Sequence, residues 1–150
     1  MPPPREDVVL GPIRVATANF QSLDMAAALK EDTVSKKARL VQDQLWAEGV
    51  HVLLGQEARA KLKRTTTKAY HCIWGPANKG QHGCCAFVSK VLSFGTVGKA
   101  HIRVKGDDVV LLHADPRRLF IAVRTPYFTF TAASLHTPHE RRPAEERKAW

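Results

Sequence analysis

Length, composition and charge limit what this protein can be. The 150-residue sequence is 44% hydrophobic and 25% charged, which is typical of one globular domain with a buried core. No apolar run approaches the ~20 residues of a membrane span, and the N-terminus lacks the apolar core of a secretory signal. Three cysteines are too few for a disulfide scaffold, so we expect an intracellular protein in a reducing environment.

The excess of positive charge is concentrated in the middle of the chain. The formal net charge is +9, and residues 58–106 contain ten Lys and Arg residues but no Asp or Glu. The other 13 of the 23 basic residues are balanced by all 14 acidic ones. Such a local bias favours a polyanionic partner such as nucleic acid, although a solubilising surface would also account for it.

The first third of the chain predicts a strand followed by a helix. Residues 1–12 are proline-rich and aperiodic, which indicates a flexible leader, and alternation predicts a strand from Ile13. Asp32 or Thr33 can cap a helix, and Gly49 suits the position just after the helix end, where positive φ is needed. The apolar face of this helix consists of Val34, Ala38, Val41 and Leu45.

A short apolar strand over residues 50–54 follows the helix. A strand–helix–strand unit implies a crossover that leaves its two strands parallel. Asn19 ends the first strand and Glu57 lies just past the second, so both are expected at the carboxyl edge of the sheet. Ligands bind at this edge in open α/β sheets.

The second half of the chain predicts a meander of antiparallel strands and a final helix. Short runs of β-branched and aromatic residues alternate with glycine-rich or charged turns. The final helix has Pro143 near its first turn. The predicted strands are the runs AYHCIW, CCAFVSKVLSF, HIRVK, VVLLHA, RLFIAVRT and YFTFTAASL.

Three polar residues near the predicted sheet edge are candidate site residues. A carboxylate such as Glu57 can hold a hard divalent cation, Arg59 can grip a phosphate, and the amide of Asn19 can orient a carboxylate or contact a phosphate. Glu57 could instead form a solvated ion pair in a loop, and Asn19 could be an ordinary turn asparagine.

Histidines and cysteines supply two further hypotheses. His136 follows the last long strand, where it could donate a proton or stabilise charge on phosphate, or simply form a turn. A zinc site would use His71, His82 and the three cysteines, Cys72, Cys84 and Cys85. Their spacings match no standard zinc finger and adjacent cysteines chelate poorly, so the sequence argues against it.

Four short motifs follow one another along the chain, namely NFQSL, QEAR, HGCCAFVSK and LHTPH. Their order resembles the endonuclease/exonuclease/phosphatase family of pancreatic-type deoxyribonuclease-like proteins. NFQSL is similar to the family's N-x-x-S-L after its first strand, and QEAR resembles its Q-E-x-R. HGCCAFVSK is similar to its glycine-led strand, and LHTPH resembles its histidine strand end. The resemblance covers residues 13–150, and within the family it is nearest to the endonuclease domains of non-LTR retrotransposons.

The resemblance implies a fold and a site. The expected fold is α/β (α+β), half of a four-layer sandwich with a mixed, mostly antiparallel sheet flanked by helices. Asn19, Glu57 and His136 would be catalytic, with Mg²⁺ (or Mn²⁺) held by Glu57 and Asn19, and Arg59 would bind phosphate. The basic residues that follow would contact nucleic acid, DNA in preference to RNA; these are Lys61, Lys63, Arg64 and Lys68.

The family's later G-D-x-N and S-D-H motifs do not occur in this sequence. The resemblance therefore predicts the N-terminal portion of the domain, truncated at its C-terminus and inactive without a missing C-terminal half. Its partners would be that half and a reverse transcriptase in the same polyprotein, and a retroelement origin implies a nuclear location. The alternatives are a non-catalytic nucleic-acid-binding module and a phosphatase or lipid phosphodiesterase of the same superfamily.

Overall fold

The structure is a computed structural model that describes residues 7–21, 23, 35–137 and 144–149. Its helices are α1 (Lys36–Ala47) and α2 (Ala144–Ala149). The strands are β1 (Val8–Leu10), β2 (Val15–Asn19), β3 (Val52–Gln56), β4 (Lys63–Thr66), β5 (Tyr70–Trp74), β6 (Cys85–Ser89), β7 (Gly95–Val97), β8 (Ala100–His101), β9 (Val109–Asp115), β10 (Arg118–Arg124) and β11 (Thr129–Leu135).

The predicted parallel pair forms one side of a five-stranded sheet. Strand order is β2-β3-β6-β5-β4, with β2 and β3 parallel and the other neighbours antiparallel. Helix α1 connects the parallel strands, as a parallel pair requires. Asn19 and Gln56 are register partners, so Glu57 follows at the same carboxyl edge.

Helix α1 has the predicted apolar face at Ala38, Val41 and Leu45, and position 34 lies outside the described residues; the cap differs from the prediction. Its N-cap is Ser35, whose hydroxyl accepts a hydrogen bond from the Ala38 N–H at 3.1 Å. The expected caps at positions 32 and 33 lie outside the described residues. Gly49 has φ +70° just beyond the helix, as predicted, while Val41 and Leu45 pack against the buried core.

Two layers cover the two faces of the five-stranded sheet. Alternate residues of β5 point to opposite sides: Tyr70 and Trp74 lie in the cluster under α1, whereas Ile73 lies in the cluster under a second, antiparallel sheet of order β11-β10-β9. The mixed α/β sandwich class is confirmed. On its second face, however, the sheet is covered by strands of the same chain rather than by a helix.

Some elements differ from the sequence prediction. Val8–Leu10, inside the predicted leader, pair with β7; this run is too short and too close to prolines for alternation to reveal it. The edge strand β4 carries mostly polar side chains and was also missed. In β2, Ala16 and Ala18 pack on the core, while Val15 is 61% exposed.

The terminal helix was predicted and is present as α2, although Pro143 lies outside the described residues. Within the described ranges, no helix is long and apolar enough to span a membrane. Among the exposed apolar side chains, Leu111, Leu112 and Leu135 lie on the β11-β10-β9 sheet.

Gly55 in β3 provides a test of this packing. A Cβ at this position would lie 2.6 Å from Cys85 Sγ and 2.6 Å from Phe20 Cε2. Gly55→Ala should therefore lower the free energy of unfolding by about 1–3 kcal/mol, because a filled core must shift to accept a methyl group. Gly11→Ala is the matched control, since the nearest atom to its Cβ is at 3.9 Å. Urea unfolding of both variants measures the difference, and equal stabilities would contradict the packing described here.

Candidate functional site

The end of β3 is linked to the second sheet by one buried hydroxyl. Ser134 on β11 is 1% exposed, and its Oγ donates a hydrogen bond to the Gly55 carbonyl at 2.7 Å. Gln56 Nε2 in turn donates to Ser134 Oγ at 2.9 Å. Glu57 and His136 each lie two residues beyond this junction, so it brings both strand ends together.

The loop after β3 holds Glu57 and Arg59 in an unusual backbone conformation. Their φ angles are +53° and +55°, in the left-handed region that L residues with a side chain seldom occupy. The intervening Ala58 is fully buried, and its N–H donates to the Gly83 carbonyl at 2.9 Å. Arg59 Nη2 lies 3.5 Å from Glu57 Oε2, and the two side chains are 33% and 21% exposed.

His136 reaches the same carboxylate from the end of β11. Its backbone N–H donates to the Arg117 carbonyl at 2.8 Å, and Arg117 Nη1 donates to the His136 carbonyl at 3.2 Å. His136 Nε2 lies 3.5 Å from Glu57 Oε1, with the imidazole 20% exposed. The structure therefore brings together Glu57, Arg59 and His136, three of the residues selected from the sequence.

His82 also lies in this group of side chains, although the sequence suggests it only as part of a zinc site with the cysteines. Its ring centroid is 5.5 Å from that of His136. One donor atom from each of Glu57, His82 and His136 lies within 4.8 Å of the other two. His82 has φ +63°, and its carbonyl accepts a hydrogen bond from the Arg59 N–H at 3.0 Å.

The signal that could have identified His82 is its position. It directly precedes Gly83 and the start of the strand that pairs with β3. An antiparallel neighbour begins where β3 ends, so residues just before β6 must lie beside Glu57. The zinc hypothesis instead groups His82 with the nearby cysteines.

The zinc arrangement considered for the cysteines is not formed. Cys72 and Cys85 are buried in the cluster under α1, whereas Cys84 is buried on the opposite side of the sheet. Burial raises the pKa of the Cys84 thiol to about 11, despite a hydrogen bond with Ser134. His71 is likewise directed elsewhere, since its Nε2 lies 3.0 Å from the Val104 carbonyl.

Asn19 is at the predicted edge, one strand away from Glu57. Its Oδ1 accepts a hydrogen bond from the Gln21 N–H at 3.2 Å, which closes a tight turn after β2. Gln21 has φ +49°, so this loop shares the left-handed backbone of the Glu57 loop. The structure thus places Asn19 beside the site, and its role there remains a prediction.

The four predicted nucleic-acid contacts follow directly from the site along β4 and the next turn. Lys61 is exposed. The Lys63 and Lys68 ammonium groups each lie 5.3 Å from an indole ring centroid, over Trp74 and Trp46 respectively, which orients two cations without neutralising them. Arg64 donates to the Val109 carbonyl, so its guanidinium is partly used in joining β4 to β9.

The turn between β9 and β10 supports two of the site loops. The Pro116 carbonyl accepts a hydrogen bond from the Gly83 N–H at 2.8 Å, and Arg117 holds His136 as described above. Asp115 closes this turn by accepting the Arg117 and Arg118 N–H groups at 2.9 Å. Burial raises the Asp115 pKa, but hydrogen bonds from His113, Arg117 and Arg118 outweigh it and hold the pKa at about 2.

Comparison with known proteins identifies one fold relative. The chain resembles the endonuclease domain of TRAS1, a telomere-specific non-LTR retrotransposon. The TM-score is 0.51 at 15% identity, and the match covers 90% of this chain and 50% of that chain. No family model matches, and no curated protein matches.

At this identity the likeness concerns the fold alone. It supports the similarity inferred from the sequence motifs, since the related fold is that of a retrotransposon endonuclease domain. The chain spans half the length of that structure.

Asp115→Asn should reduce the change in the free energy of unfolding as the pH falls through the acidic range. The carboxylate has a folded pKa of about 2 against an ordinary unfolded value of ~3.9. Its contribution, roughly 1–2 kcal/mol, is therefore fully present above about pH 5 and is lost as pH falls toward 2. Thermal unfolding of the wild type and the variant at a series of pH values measures this. A stability difference that is constant across the series would show that the charge of Asp115 does not support the turn.

Proposed function

We propose that this chain carries the cation- and phosphate-binding part of a metal-dependent nuclease site that hydrolyses phosphodiester bonds in nucleic acid. The observation that carries the proposal is the meeting of Glu57, Arg59 and His136 at the carboxyl edge of the parallel pair. The fold relative, an endonuclease domain, and the acid-free basic segment that begins at this edge support it.

Glu57 is the proposed ligand of Mg²⁺ or Mn²⁺, with Asn19 near it. The donor chemistry fits, because a partly exposed carboxylate and an amide oxygen are hard ligands that leave room for water. When bound, such a cation supplies neutralisation of the charge that develops on a phosphoryl oxygen. The carboxylate itself is held in place by Arg59 and His136 on its two oxygens.

Arg59 is the proposed phosphate contact. Its Nε is buried and has no hydrogen-bond partner among the described residues, and burying a donor without a partner is costly. A phosphate oxygen would satisfy this donor and would also draw the guanidinium toward the substrate. Arg59 therefore has a physical reason to exchange its 3.5 Å contact with Glu57 for a phosphate.

His136 is the proposed proton donor or charge stabiliser at the phosphate. It is one-fifth exposed and lies beside Glu57, so it can contact both the site and solvent. Hydrolysis also needs a base that activates water. The family motifs that would supply one do not occur in this sequence, so we propose that the 150 residues bind but do not cleave.

The charge distribution favours nucleic acid over a small phosphate ester. The cationic run continues from Arg59 through Lys61 to β4 and beyond, farther than one phosphate group would require. A polyanion that crosses the site would follow this run, and we propose duplex DNA as that polyanion. A retroelement origin would place this activity in the nucleus.

DNA binding should be sensitive to salt and should depend on Lys61. Lys61→Ala should weaken binding of a labelled duplex and reduce the slope of log K against log salt by about 1, because one phosphate contact is lost. Lys99→Ala is the matched control, since Lys99 is an exposed lysine on the β7–β8 turn of the separate small sheet. Fluorescence anisotropy at several salt concentrations measures both. Equal effects of the two substitutions would indicate nonspecific attraction to net charge rather than a binding surface at the site.

Cleavage should depend on Glu57. When the chain is joined to a C-terminal half that carries the family's G-D-x-N and S-D-H motifs, plasmid nicking should require Mg²⁺ or Mn²⁺, and Glu57→Gln should lower the rate at least 100-fold by removing the ligand charge. Glu48→Gln, an exposed carboxylate at the end of α1, should retain activity. Salt-sensitive DNA binding without any nicking would favour the binding-module alternative. Turnover of a phosphate monoester or lipid without DNA binding would favour the phosphatase class.

A further inference from the structure

We propose that Glu57, His82 and His136 together form a binding site for a divalent transition-metal ion, Mn²⁺ or Zn²⁺, in preference to Mg²⁺. The family motifs assign a metal role to neither histidine, and the zinc site considered from the sequence grouped His82 with the cysteines instead. The inference deepens the proposed function, on which it rests for its catalytic meaning, because it identifies the class of ion at the same site. It assigns the His136 imidazole to the ion in place of proton donation to the phosphate.

The donor set determines the preferred ion. Mg²⁺ is a hard cation that selects oxygen ligands and retains several waters. Imidazole nitrogen is a borderline ligand that suits zinc and other first-row transition ions, and two histidines with one carboxylate form a recurrent open site for them. Once His82 joins Glu57 and His136, nitrogen donors outnumber the carboxylate.

The distances permit chelation with small side-chain movements. The donor atoms lie within 4.8 Å of one another, and His136 Nε2 is already 3.5 Å from Glu57 Oε1. Metal–ligand bonds of about 2.0–2.2 Å at a tetrahedral angle place neighbouring donors about 3.3–3.6 Å apart. The widest separation, which is at most 4.8 Å, must therefore shrink by no more than about 1.5 Å.

The backbone already holds the three residues in place. His82 is fixed through its carbonyl to the Arg59 N–H, and His136 through its N–H to the Arg117 carbonyl. Glu57 and His82 both have positive φ, a conformation that costs about 1 kcal/mol or more and is concentrated at functional sites. All three side chains are of intermediate burial, so water or phosphate oxygen could occupy the remaining coordination positions.

Arg59 moderates the affinity of this site. Its guanidinium lies 3.5 Å from Glu57 Oε2, so a cation bound to Glu57 meets a like charge nearby. Arg59→Gln should therefore tighten metal binding severalfold while weakening DNA binding. A merely structural role for Arg59 would not move these two affinities in opposite directions.

The experiment measures metal binding by the 150-residue protein alone, without nucleic acid. Isothermal titration with MnCl₂, ZnCl₂ and MgCl₂ should give one site per chain, with Mn²⁺ and Zn²⁺ at least tenfold tighter than Mg²⁺. His82→Asn and His136→Gln should each weaken Mn²⁺ binding at least tenfold, because each removes one nitrogen ligand. Asparagine tolerates the positive φ at position 82, and metal-free unfolding curves check that the variants are folded.

His101→Asn is the matched control, since this exposed histidine on β8 contacts Ser93 instead; its Mn²⁺ affinity should equal that of the wild type. The visible spectrum of the Co²⁺ form checks for thiolate ligation, which would show that a cysteine rather than this cluster binds the metal and would overturn the proposal. Unchanged Mn²⁺ affinity in His82→Asn would also overturn it.

Failure of this inference can be distinguished from failure of the proposed function. Tight Mn²⁺ binding that depends on His82, with no DNA binding or nicking, would leave the metal site standing and remove the nuclease proposal. Mg²⁺-dependent nicking at the same rate in His82→Asn would support the nuclease proposal and remove the metal site that includes His82.

Discussion

The candidate site depends on the hydrogen bond from Ser134 Oγ to the Gly55 carbonyl. This bond joins β11 to β3 inside the sandwich and therefore fixes how two sheets meet at one edge. Glu57 and His136 follow the two linked residues by two positions each, just past the ends of β3 and β11. The hydroxyl therefore brings the two strand ends together without touching either functional side chain.

Three loops then determine the shape of the site, and each is held by backbone hydrogen bonds rather than by the functional side chains. The Glu57 loop bonds to residues 82 and 83, residue 83 bonds to the β9–β10 turn, and that turn bonds to His136. Such a network offsets the cost of several left-handed residues. The positions of the three loops are therefore set by main-chain hydrogen bonds.

The sequence predicted those parts of the site that follow from strand ends. The strand–helix–strand pattern places residues 19 and 57 at one edge, and the parallel register of β2 and β3 confirms it. His82 was missed because its position depends on the pairing of β3 with β6, a non-local contact that no local pattern encodes. The short strand β1 and the polar edge strand β4 were not predicted, because neither shows the alternation of apolar and polar residues that is typical of a half-buried strand.

The location of Glu57 at the start of an acid-free basic segment has an electrostatic consequence. A cation at this carboxylate would lie beside the Arg59 guanidinium, which is 3.5 Å from Glu57 Oε2, and this like charge opposes its binding. A phosphate that bridges the cation and the guanidinium would remove this repulsion. Cation and phosphate must then favour each other's binding by the same free energy, because linkage is reciprocal. The proposed site would therefore bind a cation more tightly with a phosphate present than without one.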